Sequence, residues 1–548
     1  MLDLAFAVAQ LRNLTPEQLR AAFSQFLPEG TREERIAAVE SGLLEPAGQL
    51  LREEMGRWIV DHTVPVNSLV PRQYEHLRPL VRDAMQFEVS RLSAHRLAPK
   101  LVDQIELPAD TPPEVRLLHL ISKVPGLQKL GQVLARNRHL KPSLRNALSK
   151  LENGIRDVQP ADIRAVIERE LGPRLETYAV EISSRILSEA SVSAVMRFSW
   201  RDPDSGERYC GVFKVLKPHI PECFAEDMDL LHHMADYLGG KHSEYGYAPR
   251  VIQDTFQKVR QLLEHEVDFS GEQKTLTKAA ASYRHIRGIA IPVPIEHLCT
   301  PVVTAMTELP GAKVTSAARR LKPFARTKLA ERLTESLIAA PLCAADDDAL
   351  FHGDPHAGNL LFHARTGTLS LIDWALTEHL TAEQRRHLAL LVVMVALRNP
   401  AAACHEIDAL SQHPIRGRQA VMLRHFVTDF LARLPLIQQP QLTEAMQLLE
   451  RISLKGVRFP ASLIMFSKVM FTLDGILDDI HGGSSVGPRV ARNFVKRWLS
   501  SGVRFGSPLR PADWLNIGVS AAIYGSRILV EWEHELLFRY TGLAPAPA

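Results

Sequence analysis

The sequence predicts an α+β fold with two lobes, preceded and followed by helical segments, and three patterns support this prediction. Two alternating apolar runs near residue 200, separated by turn-forming residues, indicate a β-hairpin. A second, shorter hairpin follows a run of polar residues near residue 355. Stretches with helical periodicity and capping residues lie before, between and after the hairpins. A chain of 548 residues can form several hydrophobic cores.

Helices dominate the N-terminal part of the prediction. Thr15–Gln18 has the form of a capping box with proline in the first turn, and Thr31–Glu34 starts a second helix. Thr111–Glu114 resembles the cap of a later helix that leads to Lys129. We expect the first of these helical regions to dock protein partners.

The first hairpin consists of Ser193–Trp200, the turn residues Asp202–Gly206 and the returning run Tyr209–Val215. We take Ser193–Trp200 as the first strand of the sheet, with Ser188–Ser191 as the loop before it. Lys214 lies inside the returning run, where burying an ammonium without a partner would be costly. The alternative is a lysine that points to solvent from an edge strand.

Asp354, Asn359 and Asp373 have the order and spacing of a phosphoryl-transfer site. Leu360–Phe362 and Leu369–Ile372 predict the strands of a hairpin that brings Asn359 close to Asp373. In kinase-type sites the first aspartate accepts a hydroxyl proton, while the asparagine and the second aspartate ligate magnesium. The pattern therefore predicts a site for ATP or ADP with Mg²⁺. The alternative is a chance cluster of polar loop residues.

A long apolar helix follows this hairpin. Thr381–Gln384 forms its capping box, and its apolar stretch runs from Leu388 to Leu397. Ten helical residues span about 15 Å, half of a hydrocarbon core of about 30 Å. We therefore expect a buried helix of the second lobe and not a membrane span.

With these residues the chain resembles the UbiB-like atypical kinases, a protein-kinase-like family associated with ubiquinone biosynthesis. The resemblance runs from about Leu117 to about Ile480. The Lys-x-Gly-Gln motif of the family is matched by Lys129-Leu130-Gly131-Gln132. Its alanine-rich Ala-x-Ala-Ser loop is matched by Ser188-Glu189-Ala190-Ser191, which departs at the first alanine, and its Glu-x-Asp motif by Glu266-Val267-Asp268.

The resemblance implies a role for each matched residue. Lys214 would pair with Glu272, and Lys129 would meet the carboxylates of the Glu-x-Asp motif across the mouth of the site. The implied roles are catalysis by Asp354, Lys214 and Glu272; metal binding by Asn359 and Asp373; nucleotide binding by Ser188, Ala190, Ser191, Lys214, Met306 and Glu308; and regulation by Lys129, Gly131, Gln132, Glu266 and Asp268.

Two further positions depart from the family pattern. Glu308 comes two residues after Met306, whereas the family usually places the glutamate directly after the methionine. Asp373-Trp374-Ala375 stands where kinases have Asp-Phe-Gly. Neither change removes a predicted metal ligand. The resemblance also implies that the helical extension excludes protein substrates and that a lipid or quinone-precursor ligand is involved.

These patterns divide the chain into five expected segments. They are a helical N-terminal region at 1–110, a helical extension at 111–185, a kinase-like N-lobe at 186–311, a kinase-like C-lobe at 312–485 and a helical tail at 486–548.

The charge and cysteine content bear on the binding partners and the cellular compartment of the protein. The net charge is only +3, from 65 basic and 62 acidic residues, so the sequence lacks the excess of positive charge that is typical of nucleic-acid-binding proteins. The five cysteines show no paired or metal-binding spacing, which is typical of reduced thiols in the cytoplasm. The opening residues predict an ordinary helix and not a cleaved signal.

The tail raises the question of membrane contact. Arg489–Leu499 predicts a basic amphipathic helix, which can lie on an anionic membrane surface or pack against its own domain. Polar residues interrupt the apolar segment Trp514–Val530. We therefore expect peripheral attachment at the inner face of a membrane and not a span.

Three functions fit the sequence. The leading one is a UbiB-like kinase or ATPase supporting quinone or other isoprenoid-lipid metabolism. The second is a small-molecule phosphotransferase of the aminoglycoside- or choline-kinase type, which would lack the Lys-x-Gly-Gln and Glu-x-Asp motifs. The third is a nucleotide-binding pseudokinase that acts as a scaffold.

Overall fold

The computed structural model describes residues 18, 21, 29–46, 48–64, 66–70, 72–108, 110–126, 128, 158–246, 249–344, 346–434, 442–481, 509–510 and 512–522. The chain divides into two compact units. Unit 1 comprises residues 1–270 and 295–306, and unit 2 comprises residues 271–294 and 307–548.

Unit 1 begins with a group of helices that share one apolar core. The helices are α1 (Arg32–Leu44), α2 (Gly48–Thr63), α3 (Arg78–Arg91), α4 (Ala94–Glu106) and α5 (Pro113–Ile121), with short helical turns at Val66–Leu69 and Arg72–Leu77. Ile59, Val89 and Leu97 are fully buried in this core. The helical prediction for this region is confirmed.

The caps of these helices differ in how well the sequence predicts them. Thr31 caps α1 through a capping box with Glu34, as expected. Helix α5 has Pro112 at its N-cap without a side-chain hydrogen bond, and it ends at Ile121. It therefore does not continue to Lys129, because the backbone of its C-cap residue, Ser122, is already extended with ψ of 141°, and Lys123 then adopts a left-handed φ of 56°. The cap predicted at Thr15–Gln18 lies outside the described residues, except for Gln18.

A four-stranded sheet forms the second part of unit 1. Its strands are β1 (Glu181–Glu189), β2 (Ser193–Arg201), β3 (Arg208–Leu216) and β5 (Val303–Thr307), in the order β1-β2-β3-β5. The β2–β3 hairpin has the predicted antiparallel pairing. Helix α6 (Pro160–Leu171) packs its buried face on the sheet. A short helix at Arg174–Thr177 joins α6 to β1.

Strand β1 corrects two expectations. The strand at Ser193 is the second of the sheet and not the first, and Ser188 belongs to β1 instead of to a loop. The boundary expected at residue 186 therefore falls inside a strand. Strand β1 is an edge strand whose residues are exposed or half-buried, although the side chain of its last residue, Glu189, is buried. Its alternation of apolar and polar residues is consequently too weak to be read from the sequence.

The remaining helices up to the second sheet are α7 (Ile220–Gly240), a turn at His242–Tyr245, α8 (Pro249–Val267) and α9 (Phe269–Tyr283). Helices α7 and α8 pack on each other around Met234, Leu238 and Leu263. Phe269, at the start of α9, is fully buried beside Leu216 and Ile220.

Unit 2 contains two small groups of strands. Strands β4 (Ile289–Ala290), β9 (Thr368–Leu371), β8 (Leu360–His363) and β6 (Ala312–Lys313) form one sheet in that order, and β7 (Asp348–His352) pairs with β10 (Thr377–Thr381). Strands β8 and β9 form the antiparallel hairpin predicted after Asn359.

Helices surround these strands in unit 2. They are α10 (Val314–Ala318), α11 (Pro323–Thr334), which continues through a π-helical turn at Glu335–Ala339 and a short helix at Ala340–Leu342, α12 (Ala382–Ala396), α13 (Pro400–Leu410), α14 (Arg418–Ala432), α15 (Leu442–Ser453) and α16 (Ala461–His481). Helix α12 is the predicted buried helix, with its capping box at Thr381 and Gln384.

The tail is described only at 509–510 and 512–522, and the latter residues are helical. The amphipathic helix predicted at Arg489–Leu499 lies outside the described residues. Within the described part of the chain, no helix combines the length and apolar character needed to cross a bilayer.

Candidate active site

His352 organises the loop that follows β7. Its ring is almost fully buried, and its Nε2 lies 3.1 Å from the carbonyl oxygen of Ile372. Its Nδ1 accepts a hydrogen bond of 3.1 Å from the backbone N–H of Asp354. Burial lowers the pKa of His352 below its ordinary value. A neutral ring that accepts at Nδ1 and donates at Nε2 therefore connects the Asp354 loop to the end of β9.

Asn359 is buried at the end of the same loop. Its side-chain Nδ2 donates a hydrogen bond of 3.2 Å to the backbone carbonyl oxygen of Asp354. Its backbone carbonyl oxygen accepts a hydrogen bond of 3.0 Å from the backbone N–H of Ile372. Because the amide nitrogen is engaged, the amide oxygen is the atom that can ligate a cation. The loop thus brings Asp354, Asn359 and the backbone next to Asp373 together.

Asp373 itself adopts a left-handed backbone with φ of 63°. The next residue, Trp374, is completely buried and donates a hydrogen bond of 3.1 Å from Nε1 to the carbonyl oxygen of Leu371. Its ring also contacts Tyr283 and His352, at centroid separations of 5.5 and 4.9 Å. The packed and hydrogen-bonded indole ring of Trp374 therefore fixes the position of the Asp-Trp-Ala segment, which has no glycine.

Lys468 is a residue of this site that our sequence analysis missed. Its Nζ lies 3.3 Å from Asp354 Oδ1, although the two residues are 114 positions apart. The contact is possible because Phe466 of α16 packs edge-on against Phe351 of β7, with centroids 5.4 Å apart. A signal was present in the sequence: Lys468 is a lone lysine in an apolar helix, the same type of signal that identified Lys214.

Lys214 lies in β3 of unit 1, half-buried, with its Nζ 5.4 Å from the centroid of the Phe269 ring. Glu272 is buried in α9 and belongs to unit 2. The pairing of Lys214 with Glu272 stays a prediction. Met306 is near the end of β5 in unit 1, and Glu308 follows that strand in unit 2.

A second lysine of unit 1 was also missed. Lys217 is 1% exposed, and its Nζ lies 3.4 Å from Glu189 Oε2, in a carboxylate that is 5% exposed. The carboxylate of Glu189 thus forms a buried ion pair with Lys217, which lies three residues after Lys214.

The alanine-rich loop contacts the Glu-x-Asp motif. Ser191 Oγ donates a hydrogen bond of 3.4 Å to Glu266 Oε2, and the N–H of Ala190 donates one of 2.8 Å to the carbonyl oxygen of Ser193. Asp268 is exposed just before α9. Lys129, Gly131 and Gln132 lie outside the described residues, so their meeting with Glu266 and Asp268 stays a prediction.

The residues of unit 2 fit a magnesium ion that is shared with phosphates. The side-chain oxygens of Asn359 and Asp373 are hard donors of the type that Mg²⁺ prefers. Two protein ligands leave most of an octahedral shell to waters and phosphate oxygens, as in nucleotide sites. The hydrogen bonds that hold the loop in place use the ring nitrogens of His352 and the side-chain nitrogen of Asn359.

Comparison with known families identifies the domain. Residues 150–406 match the model of the ABC1 atypical kinase-like domain. The chain contains an ABC1 atypical kinase-like domain. This match confirms the resemblance to the UbiB-like atypical kinases, and the mixed helical and strand architecture confirms the predicted α+β, protein-kinase-like fold class.

Curated relatives are similar to part of the chain. The chain is 24% identical to the protein ACTIVITY OF BC1 COMPLEX KINASE 7, chloroplastic, of Arabidopsis thaliana, over 64% of this chain and 50% of the relative. It is 26% identical to the probable protein kinase UbiB of Pasteurella multocida, over 48% of this chain and 50% of the relative. It is 30% identical to the protein ACTIVITY OF BC1 COMPLEX KINASE 1, chloroplastic, of Arabidopsis thaliana, over 46% of this chain and 35% of the relative. The chain thus spans half or less of the length of these relatives.

Proposed function

We propose that the chain binds ATP with Mg²⁺ and transfers the γ-phosphoryl group to a small acceptor or to water. One observation carries this proposal: a single hydrogen-bonded loop of the ABC1 domain holds Asp354 and Asn359 against the backbone that leads into Asp373. These are the base and the two metal-binding side chains that phosphoryl transfer requires.

The chain's own residues supply positioning and proton transfer. Asp354 accepts the proton of the attacking hydroxyl group, and the contact with Lys468 orients that carboxylate. Asn359 and Asp373 hold the metal, which neutralises the charge on the phosphate oxygens when it is bound. Lys214, Ser188, Ala190, Ser191, Met306 and Glu308 are the proposed contacts to the nucleotide, with Glu272 orienting Lys214.

The proposed pathway is quinone or other isoprenoid-lipid metabolism. The family resemblance supports it, together with the relatives that carry the name UbiB. Peripheral attachment at the inner face of a membrane, a cytoplasmic setting and protein docking through the N-terminal helices are parts of the same proposal. Lys129, Gly131, Gln132, Glu266 and Asp268 are proposed to restrict access to bulky substrates.

The test is turnover of ATP by the purified full chain. We expect magnesium-dependent release of ADP, and we expect Asp354→Asn to lower its rate at least about 100-fold because the base is lost. Asp429→Asn is the matched control, since Asp429 lies on α14 with 61% of its side chain exposed. Tight ATP binding without turnover in the wild type would favour the scaffold. An unchanged rate in Asp354→Asn would rule out this residue as the base.

A further inference from the structure

A cavity of about 450 Å³ lies between helices α15 and α16 in unit 2. This volume falls within the range of roughly 300–1,000 Å³ that is typical of sites for small molecules. The cavity wall is mostly apolar and is formed by Met446, Leu449, Phe459, Leu463, Ile464 and Phe471. An apolar wall of this size suits a hydrocarbon chain.

Five polar residues interrupt this wall: Glu450 and Ser453 of α15, and Ser467, Lys468 and Thr472 of α16. Lys468 lines the cavity and also contacts Asp354, at 3.3 Å between Nζ and Oδ1. Ser467 Oγ is buried and finds no hydrogen-bond partner among the described residues. A buried hydroxyl without a partner is unfavourable, and a polar group of a ligand would satisfy it. Lys468 therefore links the apolar cavity to the proposed catalytic base, Asp354.

The charges of Lys468 and Asp354 indicate which polar head group a ligand of this cavity would carry. The ammonium of Lys468 is already balanced by the carboxylate of Asp354, so the pair is neutral. A carboxylate or phosphate head would meet the repulsion of Asp354. A neutral hydroxyl group can instead accept a hydrogen bond from Lys468 and donate one to Asp354.

We propose that this cavity is the acceptor subsite, and that the acceptor is an alcohol with an aliphatic chain. The inference rests on the proposed function. In the transfer step, the alcohol oxygen forms a bond to the γ-phosphorus of ATP while its proton passes to Asp354. The bond from that phosphorus to the bridging oxygen breaks, and ADP leaves with the electron pair. The products are an alkyl phosphate and ADP.

Binding is tested first, without nucleotide. Calorimetric titration of the full chain with 1-butanol, 1-hexanol and 1-octanol should show affinity rising about fourfold for each added methylene, as burial of apolar chain requires. Ile464→Trp should fill the groove and weaken 1-octanol binding at least about tenfold. Val421→Trp, on α14, is the matched control, because the two residues are similarly exposed, at 54% and 60%. Affinity that ignores chain length, or that falls equally in both variants, would overturn the proposal.

Transfer is tested next with ATP, Mg²⁺ and 1-octanol, by mass spectrometry of octyl phosphate. Octyl phosphate that disappears in Ile464→Trp but persists in Val421→Trp would support the acceptor subsite. ATP hydrolysis to phosphate without octyl phosphate, despite bound octanol, would overturn the subsite while leaving the proposed function in place. Bound octanol with no ATP turnover under any condition would overturn both.

Discussion

At the scale of single residues, Asp373 illustrates a conflict between stability and function. Its φ of 63° lies in the left-handed region, which is unfavourable for residues that carry a Cβ. Aspartate tolerates this region better than most residues, but glycine fits it without strain. The aspartate side chain is one of the two proposed metal ligands. Strain that persists at such a position is typical of functional sites.

Replacing Asp373 should therefore separate folding from binding. We expect Asp373→Gly to raise the free energy of unfolding by about 0.5–1 kcal/mol, because the strain is relieved, while magnesium-dependent ATP binding is lost. Urea unfolding and calorimetry measure the two quantities. Asp373→Asn is the control, since asparagine tolerates the same backbone and should leave stability nearly unchanged. Equal stability in Gly and Asn variants would show that the turn stores no strain.

Glu88 offers a second test at the scale of a residue. It is buried in α3 beside Asp227, Arg96 and Glu226, and burial raises its pKa to about 8, from an ordinary value of 4.5. Between these pH values the folded chain keeps a proton that the unfolded chain has lost. Stability should therefore fall as the pH rises through this window.

Replacement by glutamine removes this dependence. Between pH 5 and 7, we expect the wild type to lose about 1.4 kcal/mol of unfolding free energy per pH unit relative to Glu88→Gln. The window ends at pH 7 because Lys100, which burial holds at a pKa of about 7, changes stability in the opposite direction above it. Parallel stability curves for the two proteins, from urea unfolding at several pH values, would contradict the pKa assigned to Glu88.

At the scale of elements, the ion pair between Lys217 and Glu189 joins the end of β1 to the end of β3 in unit 1. Both groups are almost completely buried, so removing one partner takes away a charge that offsets the desolvation of the other. Lys217 also lies only three residues after Lys214. Its integrity therefore affects both the sheet and the strand that carries the proposed phosphate-binding lysine.

Removal of the carboxylate should be strongly destabilising. We expect Glu189→Ala to lower the unfolding free energy by about 3 kcal/mol, and the double variant Glu189→Ala/Lys217→Met to recover most of that loss. The exposed pair Arg260–Glu264 of α8 is the control, where Glu264→Ala should cost less than about 1 kcal/mol. A double variant as unstable as the single one, measured by urea unfolding, would show that the loss has another origin.

The sequence predicted those elements whose pattern is strong and local. The hairpins β2–β3 and β8–β9 and the capped helices α1 and α12 follow from alternation, turn residues and capping boxes. Strand β1 could not be predicted, because an edge strand with mostly exposed side chains lacks an alternating pattern. The end of α5 was missed although Pro125 and Gly126, which follow its C-cap residue Ser122 closely, are a sequence signal for a helix end.

At the scale of the whole molecule, the candidate site was predictable in part. The order of Asp354, Asn359 and Asp373 along the chain is a local pattern, so the sequence indicated it directly. Lys468 reaches Asp354 only through the packing of α16 on β7, and a contact across 114 positions leaves no local pattern. Buried pairs such as Lys217–Glu189 are equally non-local.

The most direct test of the central claim is calorimetric titration of the purified full chain with ATP, with and without Mg²⁺. The account predicts ATP binding that requires Mg²⁺ in the wild type and is weakened at least about tenfold in Asp373→Asn. ATP affinity that is identical with and without Mg²⁺, and unchanged in Asp373→Asn, would contradict it.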